Sequence, residues 1–384
     1  MDRMMKKVAL ITPMLQPYRI TFYQKLAFFD PSYQWKIFHG ISLDENGRPN
    51  YKGGTTFQDQ GFPEHKFFIG PFKLVYNQGL YSEIRKYNPD LIILQGIAGD
   101  ITNRRVTSWA RRKRKKIIFW TCGWEPGLAK GKLLSLKNHL VSVLFKKADL
   151  HLTYSTKANR YVESMGVQSS RIRTCYNGIE TDDLIKKEEE VISKANHVIK
   201  KYELHNFITF LYVGGLLPEK RVDLLLGAFR NLRNTHKNIK LIIIGDGPLK
   251  KEITQKISEM NDQYIYYLGR IVDDVDQYFA ASDCLVLPGA GGLALNQAMF
   301  WRKTCIVSAA DGTEDDLVIE TETGYRFEKD NPDSLTEAME RRIKTSKQDL
   351  VRMSRNARKI IETKSNVNNM VNVFMAGVKE LLEG

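Results

Sequence analysis

Cysteine is scarce: Cys122, Cys175, Cys284 and Cys305 are scattered without paired spacing. That pattern excludes a disulfide framework and a cysteine-based metal site, and at this length no disulfide is needed. Three of the four fall in or beside strand-like segments and read as small buried hydrophobes. The histidines, His39 and His151 among them, show no ligand spacing. Long apolar runs are missing too. The longest candidate, residues 207–217, is about half of what a membrane-spanning helix needs and contains Gly214 and Gly215. Met1-Asp2-Arg3-Met4-Met5-Lys6-Lys7 leads straight into a strand-like run, so no signal peptide is expected and a cytosolic location is. Acidic charge is deficient in the first half only. Residues 1–200 hold 33 Lys+Arg against 18 Asp+Glu, while residues 201–384 hold 25 against 26. The excess concentrates at Arg104-Arg105, in the run 111–116, and at Lys130, Lys132, Lys137, Lys146 and Lys147. A solvated basic face accounts for part of it. An excess confined to one half points to an anionic surface, each basic residue near an anionic leaflet being worth about 1 kcal/mol. Nucleic acid is the competing partner, and the basic runs lack the interleaved stacking aromatics it would use.

A chain of 384 residues predicts two domains, because one core rarely grows past about 250–300 residues. Apolar runs of strand length alternate with helical patterns throughout, which predicts parallel sheets with helical crossovers. Strands are expected at 8–12, 35–38, 90–94, 117–121 and 150–154, with an irregular, β-containing excursion at 51–72. Asp100 is placed to cap a helix. Residues 182–201 are polar and charge-mixed, with Glu188-Glu189-Glu190, and are expected to be a partly helical interdomain connection. The pattern divides the chain into 1–200, 201–364 and a last helix, 365–384, striped by Val367, Met370, Phe374, Val378 and Leu381.

The second half repeats strand, turn and helix, and each turn carries a glycine signal. These are Tyr212-Val213-Gly214-Gly215-Leu216-Leu217-Pro218-Glu219-Lys220, then Gly245-Asp246-Gly247-Pro248, Leu268-Gly269-Arg270, and Pro288-Gly289-Ala290-Gly291-Gly292-Leu293. Four such turns at this spacing describe a parallel sheet whose carboxyl edge faces a phosphorylated ligand. The ribbon 289–292 opens a helix, whose first N–H groups suit an anion, and glycines let the backbone approach it closely. A turn needed only for sheet–helix packing is the plainer alternative.

This order resembles the nucleotide-sugar domain of retaining glycosyltransferase family 4, the glycosyl transferases group 1. Gly214, Leu216, Glu219, Lys220, the run 245–248, Leu268-Gly269, Pro288 and Ala298-Met299 carry the likeness, with Ser155 and Tyr176-Asn177-Gly178-Ile179 carrying a looser one. The resemblance implies a GT-B architecture: two Rossmann-like parallel-sheet domains facing a cleft, with the last helix crossing back to the first. It implies an N-terminal acceptor domain, a C-terminal nucleotide-sugar domain, retention of configuration, and no metal or other cofactor. Three departures stand out. The family's paired glutamates fall on Gly289 and Gln297, and its arginine falls on Gly215.

The implied site places Lys220 and Arg221 as catalytic cations on the departing diphosphate, Arg221 standing where the family has glycine. Gly214, Gly215, Gly245, Gly289, Ala290, Gly291, Gly292 and Leu293 would line the donor, with main-chain groups of Arg270 and Ile271 at the base. Gln297 would take the ribose hydroxyls, since an amide keeps donor and acceptor capacity. Sugar hydroxyls would meet the ribbon amides or Asn296. On the acceptor side stand Tyr18, Arg19, Gln95, Trp124 and Glu125. The acidic segment 311–316 is expected to cap a helix at the site edge, with contact to the acceptor as the alternative. The expected partners are a nucleotide-sugar, UDP- rather than GDP-linked by family frequency, a lipid-linked glycan and the anionic inner face of a membrane, with no nucleic acid. No sequence feature sets the oligomeric state. A non-catalytic nucleotide-sugar-binding partner subunit is the alternative that the departures motivate. An inverting enzyme or epimerase using Glu125 or Asp100 as base is a further one.

Overall fold

The computed structural model describes residues 5–41, 50–69, 72–122, 131–310 and 312–384. They form two compact units, one of residues 1–176 with 367–384, the other of residues 177–366.

The first unit is built on a seven-stranded parallel sheet of β1 (Lys6–Thr12), β2 (Tyr33–Gly40), β3 (Asp59–Phe62), β6 (Leu91–Leu94), β7 (Lys116–Thr121), β8 (Leu150–Thr153) and β9 (Ile172–Thr174). Their order is β3-β2-β1-β6-β7-β8-β9. Two further strands, β4 (Glu64–Ile69) and β5 (Phe72–Asn77), pair with each other as an antiparallel hairpin outside this sheet, and Val75 of β5 also bridges to Asp100. β6 is buried throughout, as expected of a strand covered on both faces. Asp100 caps the helix Ile101–Arg112, its carboxylate accepting from the Asn103 amide at 2.8 Å. The last helix, Val367–Glu383, packs on this unit. Its Phe374 meets Trp120 at 4.9 Å and Phe22 at 5.0 Å in edge-on contacts.

The second unit holds β10 (Ile208–Val213), β11 (Ile239–Ile244), β12 (Ile265–Tyr267), β13 (Cys284–Leu287), β14 (Thr304–Val307) and β15 (Gly324–Arg326). The order β12-β11-β10-β13-β14-β15 is parallel throughout. β11 is wholly buried even at Lys240, whose ammonium donates to the carbonyls of Tyr202 (2.6 Å) and Glu203 (3.0 Å) and lies over the Phe207 ring. Pairing of that kind is what a buried charge requires.

The division between units differs from the expected one at residue 200. Helices Thr181–Lys186 and Glu188–Lys201 belong to the second unit. Val191, Ala195 and Val198 are buried in its core, and Glu188 binds Arg302 (3.1 Å) and Arg358 (3.1 Å). The charged run is thus an anchored helix start and not a linker. With residues 177–200 reassigned, the first unit carries 30 Lys+Arg against 14 Asp+Glu and the second 28 against 30. The last helix begins at Val367, because Ser365 and Asn366 bond within the second unit. Among the described residues no helix is long and apolar enough to cross a membrane.

Candidate nucleotide-sugar site

In the second sheet the strand order reverses between β10 and β13. At such a switch point the loops leaving two neighbouring strands part, and the crevice between them is where doubly wound sheets bind ligands. β10 runs into Gly214 and Gly215, and β13 into the ribbon 289–292. The turns beyond the carboxyl edge are tied to one another by backbone bonds: Gly214 to Ile244 (3.0 Å), Leu216 to Asp246 (2.9 Å) and Gly245 to Gly269 (2.8 Å). Gly245 approaches so closely that a Cβ there would lie 1.9 Å from the Gly214 carbonyl oxygen. Tyr212 braces the ledge by donating to the Gly215 carbonyl at 2.8 Å, and burial pushes its phenol pKa up.

Lys220 ends the single turn Pro218–Lys220. Its Nζ lies 2.6 Å from the carbonyl oxygens of both Ala290 and Gly291, to which it donates. The turn is fixed to the ribbon a second time, through the Ala290 amide and the Glu219 carbonyl at 2.9 Å. Lysine and ribbon, 70 residues apart in sequence, are therefore one assembly. A Cβ at Gly289 would stand 2.0 Å from the Glu219 carbonyl oxygen. The place of the family's first glutamate is thus filled by the Lys220 turn. At Gly215, where the family has arginine, the nearest atom to a Cβ is Leu217 Cδ1 at 3.4 Å, so that side chain is missing from usable space.

Arg221 departs from the expected role. It adopts φ 51°, a left-handed conformation that favours glycine, and its guanidinium is paired with Asp223 at 3.3 Å and with Asp330. These carboxylates hold it at the start of helix Val222–Thr235, and they raise its pKa. Glu314 was not foreseen at the ribbon. It is 1% exposed and accepts from the Gly291 amide at 3.0 Å, and a Cβ at Gly291 would lie 2.2 Å from its Oε1. A carboxylate from the helix Thr313–Leu317 thus occupies one of the ribbon amides expected to face phosphate. The amides of Gly292 and Leu293 follow it at the start of helix Leu293–Phe300, with Gln297 half-buried further on. Arg270 is exposed and Ile271 half-buried, just past Gly269.

Asn296 is corrected as well. It is 1% exposed, and its amide donates to the Asn177 carbonyl (3.0 Å) and to Ser365 Oγ (2.7 Å). It clamps the two ends of the second unit together and does not face sugar. Its place next to Leu295 and two residues before Ala298, on the buried side of the helix, is the signal that could have shown this. Asn296→Leu is expected to cost about 1–3 kcal/mol, because buried partners lose their donor. Thermal unfolding should show the second unit melting lower by roughly 2–4 °C per kcal/mol. An unchanged melting temperature would remove the clamp.

In the first unit, Tyr18 is 44% exposed in the segment after β1, and Gln95 is half-buried directly after β6. These two strands flank that sheet's own switch point. Arg19 differs from an acceptor-facing cation. It is 7% exposed, stacks over Trp120 at 4.1 Å and donates to the Tyr154 hydroxyl at 3.2 Å. Trp124 and Glu125 lie outside the described residues, as does Asp311. Among the described residues no group of three or more His, Cys, Asp or Glu is placed to hold a metal ion.

Two parallel-sheet units with helical crossovers, each with its own switch point, define a doubly wound α/β protein. Residues 195–360 match the family model of glycosyl transferases group 1. The uncharacterized glycosyltransferase MJ1178 of Methanocaldococcus jannaschii is 31% identical over 131 residues, covering 33% of this chain and 36% of that protein. The N-acetylgalactosamine-N,N'-diacetylbacillosaminyl-diphospho-undecaprenol 4-alpha-N-acetylgalactosaminyltransferase of Campylobacter jejuni is 31% identical over 133 residues, 34% of this chain and 32% of that protein. The chain thus spans about a third of the length of these two curated relatives. The crystal structure of Anabaena Alr3699/HepE in complex with UDP superposes with a TM-score of 0.71 at 15% identity, covering 98% of this chain and 100% of that one. That likeness identifies the fold as GT-B.

Proposed function

We propose that this chain is a retaining, metal-independent glycosyltransferase. It moves a sugar from a nucleoside diphosphate, UDP before GDP, to a lipid-linked glycan. It works at the inner face of a membrane, in synthesis of a bacterial surface polysaccharide or glycan. The observation that carries this is the Lys220 ammonium held against the ribbon carbonyls beside the switch point of the second sheet. When the bond between the sugar and the diphosphate breaks, negative charge grows on the departing oxygen. In this reading Lys220 and the amides of Gly292 and Leu293 stabilise it. The acceptor hydroxyl attacks on the same face, and the diphosphate takes its proton, so no protein base is required. Gly214, Gly215 and Gly245 line the donor, Gln297 takes the ribose and the main chain of Arg270 and Ile271 the base. Residues 177–366 form the nucleotide-sugar domain, and the first unit, with Tyr18 and Gln95, takes the acceptor. The relatives' names support a glycan acceptor on a lipid diphosphate, and the UDP complex of the fold neighbour supports the nucleotide.

The filled position at Gly289 favours one second reading, a nucleotide-sugar-binding subunit without turnover. A thermal-shift panel of UDP-, GDP- and CDP-sugars, followed by donor hydrolysis, separates the two. A UDP-sugar shift with hydrolysis supports the enzyme, and a shift without turnover supports the subunit. No shift with any nucleotide-sugar overturns both.

A further inference from the structure

We propose that β4–β5 and the basic groove beside it form one docking surface for an anionic phospholipid bilayer. This deepens the membrane contact proposed above and rests on the same excess of charge in the first unit. At the end of the hairpin, Phe67, Phe68 and Ile69 are 40%, 72% and 62% exposed. Three consecutive large apolar side chains in water are a cost unless something covers them. The hairpin is held at its other end. Val75 of β5 bridges to Asp100, and its amide donates to the Gly99 carbonyl at 3.0 Å. Asp100 caps the helix Ile101–Arg112, which forms one wall of a groove of about 540 Å³. The other wall is the helix Gly131–Phe145.

Arg104, Arg105, Arg112 and Lys147 line this groove, and no carboxylate does among the described residues. Leu140 and Val143, one helical turn apart on the second wall, are 43% and 45% exposed. Four cations without counter-charge beside exposed aliphatic side chains match phosphate headgroups above acyl chains. Ile69 pairs with Phe72, three residues along β5 from Val75, so it lies roughly 10 Å along the strand from the bridge to Asp100. Phenylalanine and isoleucine suit entry into the interface, while the groove holds headgroups. Nucleic acid fits less well, because the one aromatic ring in the groove, Tyr81, is covered by the Arg105 guanidinium at 4.5 Å.

The test is flotation of the full-length chain with phosphatidylcholine vesicles and with vesicles that also contain phosphatidylglycerol. Binding is expected only with phosphatidylglycerol and should weaken with salt. Arg104→Ala with Arg105→Ala should lower that partition by about 10- to 30-fold. Phe68→Ser with Ile69→Ser should also weaken it. Tryptophan placed by Phe68→Trp should shift its emission to the blue on phosphatidylglycerol vesicles. No binding to these vesicles, binding indifferent to both double variants, or loss of an RNA gel shift with vesicle binding intact would each overturn the proposal. The UDP-sugar thermal shift of the same proteins keeps the two proposals apart. A wild-type chain that shows the shift but does not bind the vesicles removes the docking surface alone, and one that binds the vesicles without the shift removes the sugar site alone.

Discussion

Lys220→Ala is expected to lower turnover by about 10²- to 10³-fold and to erase the thermal shift produced by UDP-sugars. A loss of that size is usual when one preorganised donor to a developing oxyanion is removed. The substitution separates charge from architecture, because the backbone bond from Ala290 to the Glu219 carbonyl still ties ribbon to turn. The ribbon should therefore stay in place, and the melting temperature without nucleotide should fall by only a few degrees. Lys220→Arg should restore part of the shift, since a cation returns with a different shape. Steady-state kinetics and thermal shift on the three proteins decide the matter. Turnover within threefold of wild type for Lys220→Ala would end the case for this ammonium as the leaving-group cation.

Gly289→Glu, which restores the family's glutamate, is expected to damage the protein. The new Cβ would stand 2.0 Å from the Glu219 carbonyl oxygen and 2.9 Å from the Lys220 carbonyl carbon, and both are backbone atoms. Either the turn or the ribbon must move, at about 1–3 kcal/mol for an overpacked site. Lys220 would move with it. A lower melting temperature and a lost UDP-sugar shift are the expected results. Gly215→Arg, the other restoration, meets a flexible leucine at 3.4 Å. It should fold as well as wild type and bind UDP-sugar about tenfold more tightly, the value of one added hydrogen bond from a charged donor. Equal stability of the two variants in the same thermal scan would refute the asymmetry.

The two sheets were readable in the sequence because their central strands are continuous apolar runs. Residues 241–244 in β11 can be little else than a strand covered on both faces. The ribbon and its lysine were readable because the glycines fall at strand ends. What escaped depends on partners distant in sequence. Glu188 reads as linker charge until Arg302 and Arg358 are brought beside it. Arg221 reads as a phosphate cation until Asp330 claims it across 109 residues. Gly289 reads as a loss, although the turn at 218–220 fills the space. Glu314 reads as a helix cap within an acidic segment, and its contact with Gly291 arises only through the placement of β14 beside β13. Phe67-Phe68-Ile69 fall in the excursion at 51–72, where no sequence period marks a face, and only the fold puts them in water.

The first unit draws its last helix from beyond the second unit. Residues 367–383 cover β7 and the helix Ile20–Phe28, yet they leave the ribosome after all of residues 177–366. While the chain is being made, the aromatic cluster of Phe22 and Trp120 has no Phe374 against it. The nucleotide-binding unit can complete its core first, and the earlier-synthesised unit must wait with an apolar face uncovered. One face of the first-made sheet can close on residues before 177, but its other face can close only after the second unit has been synthesised.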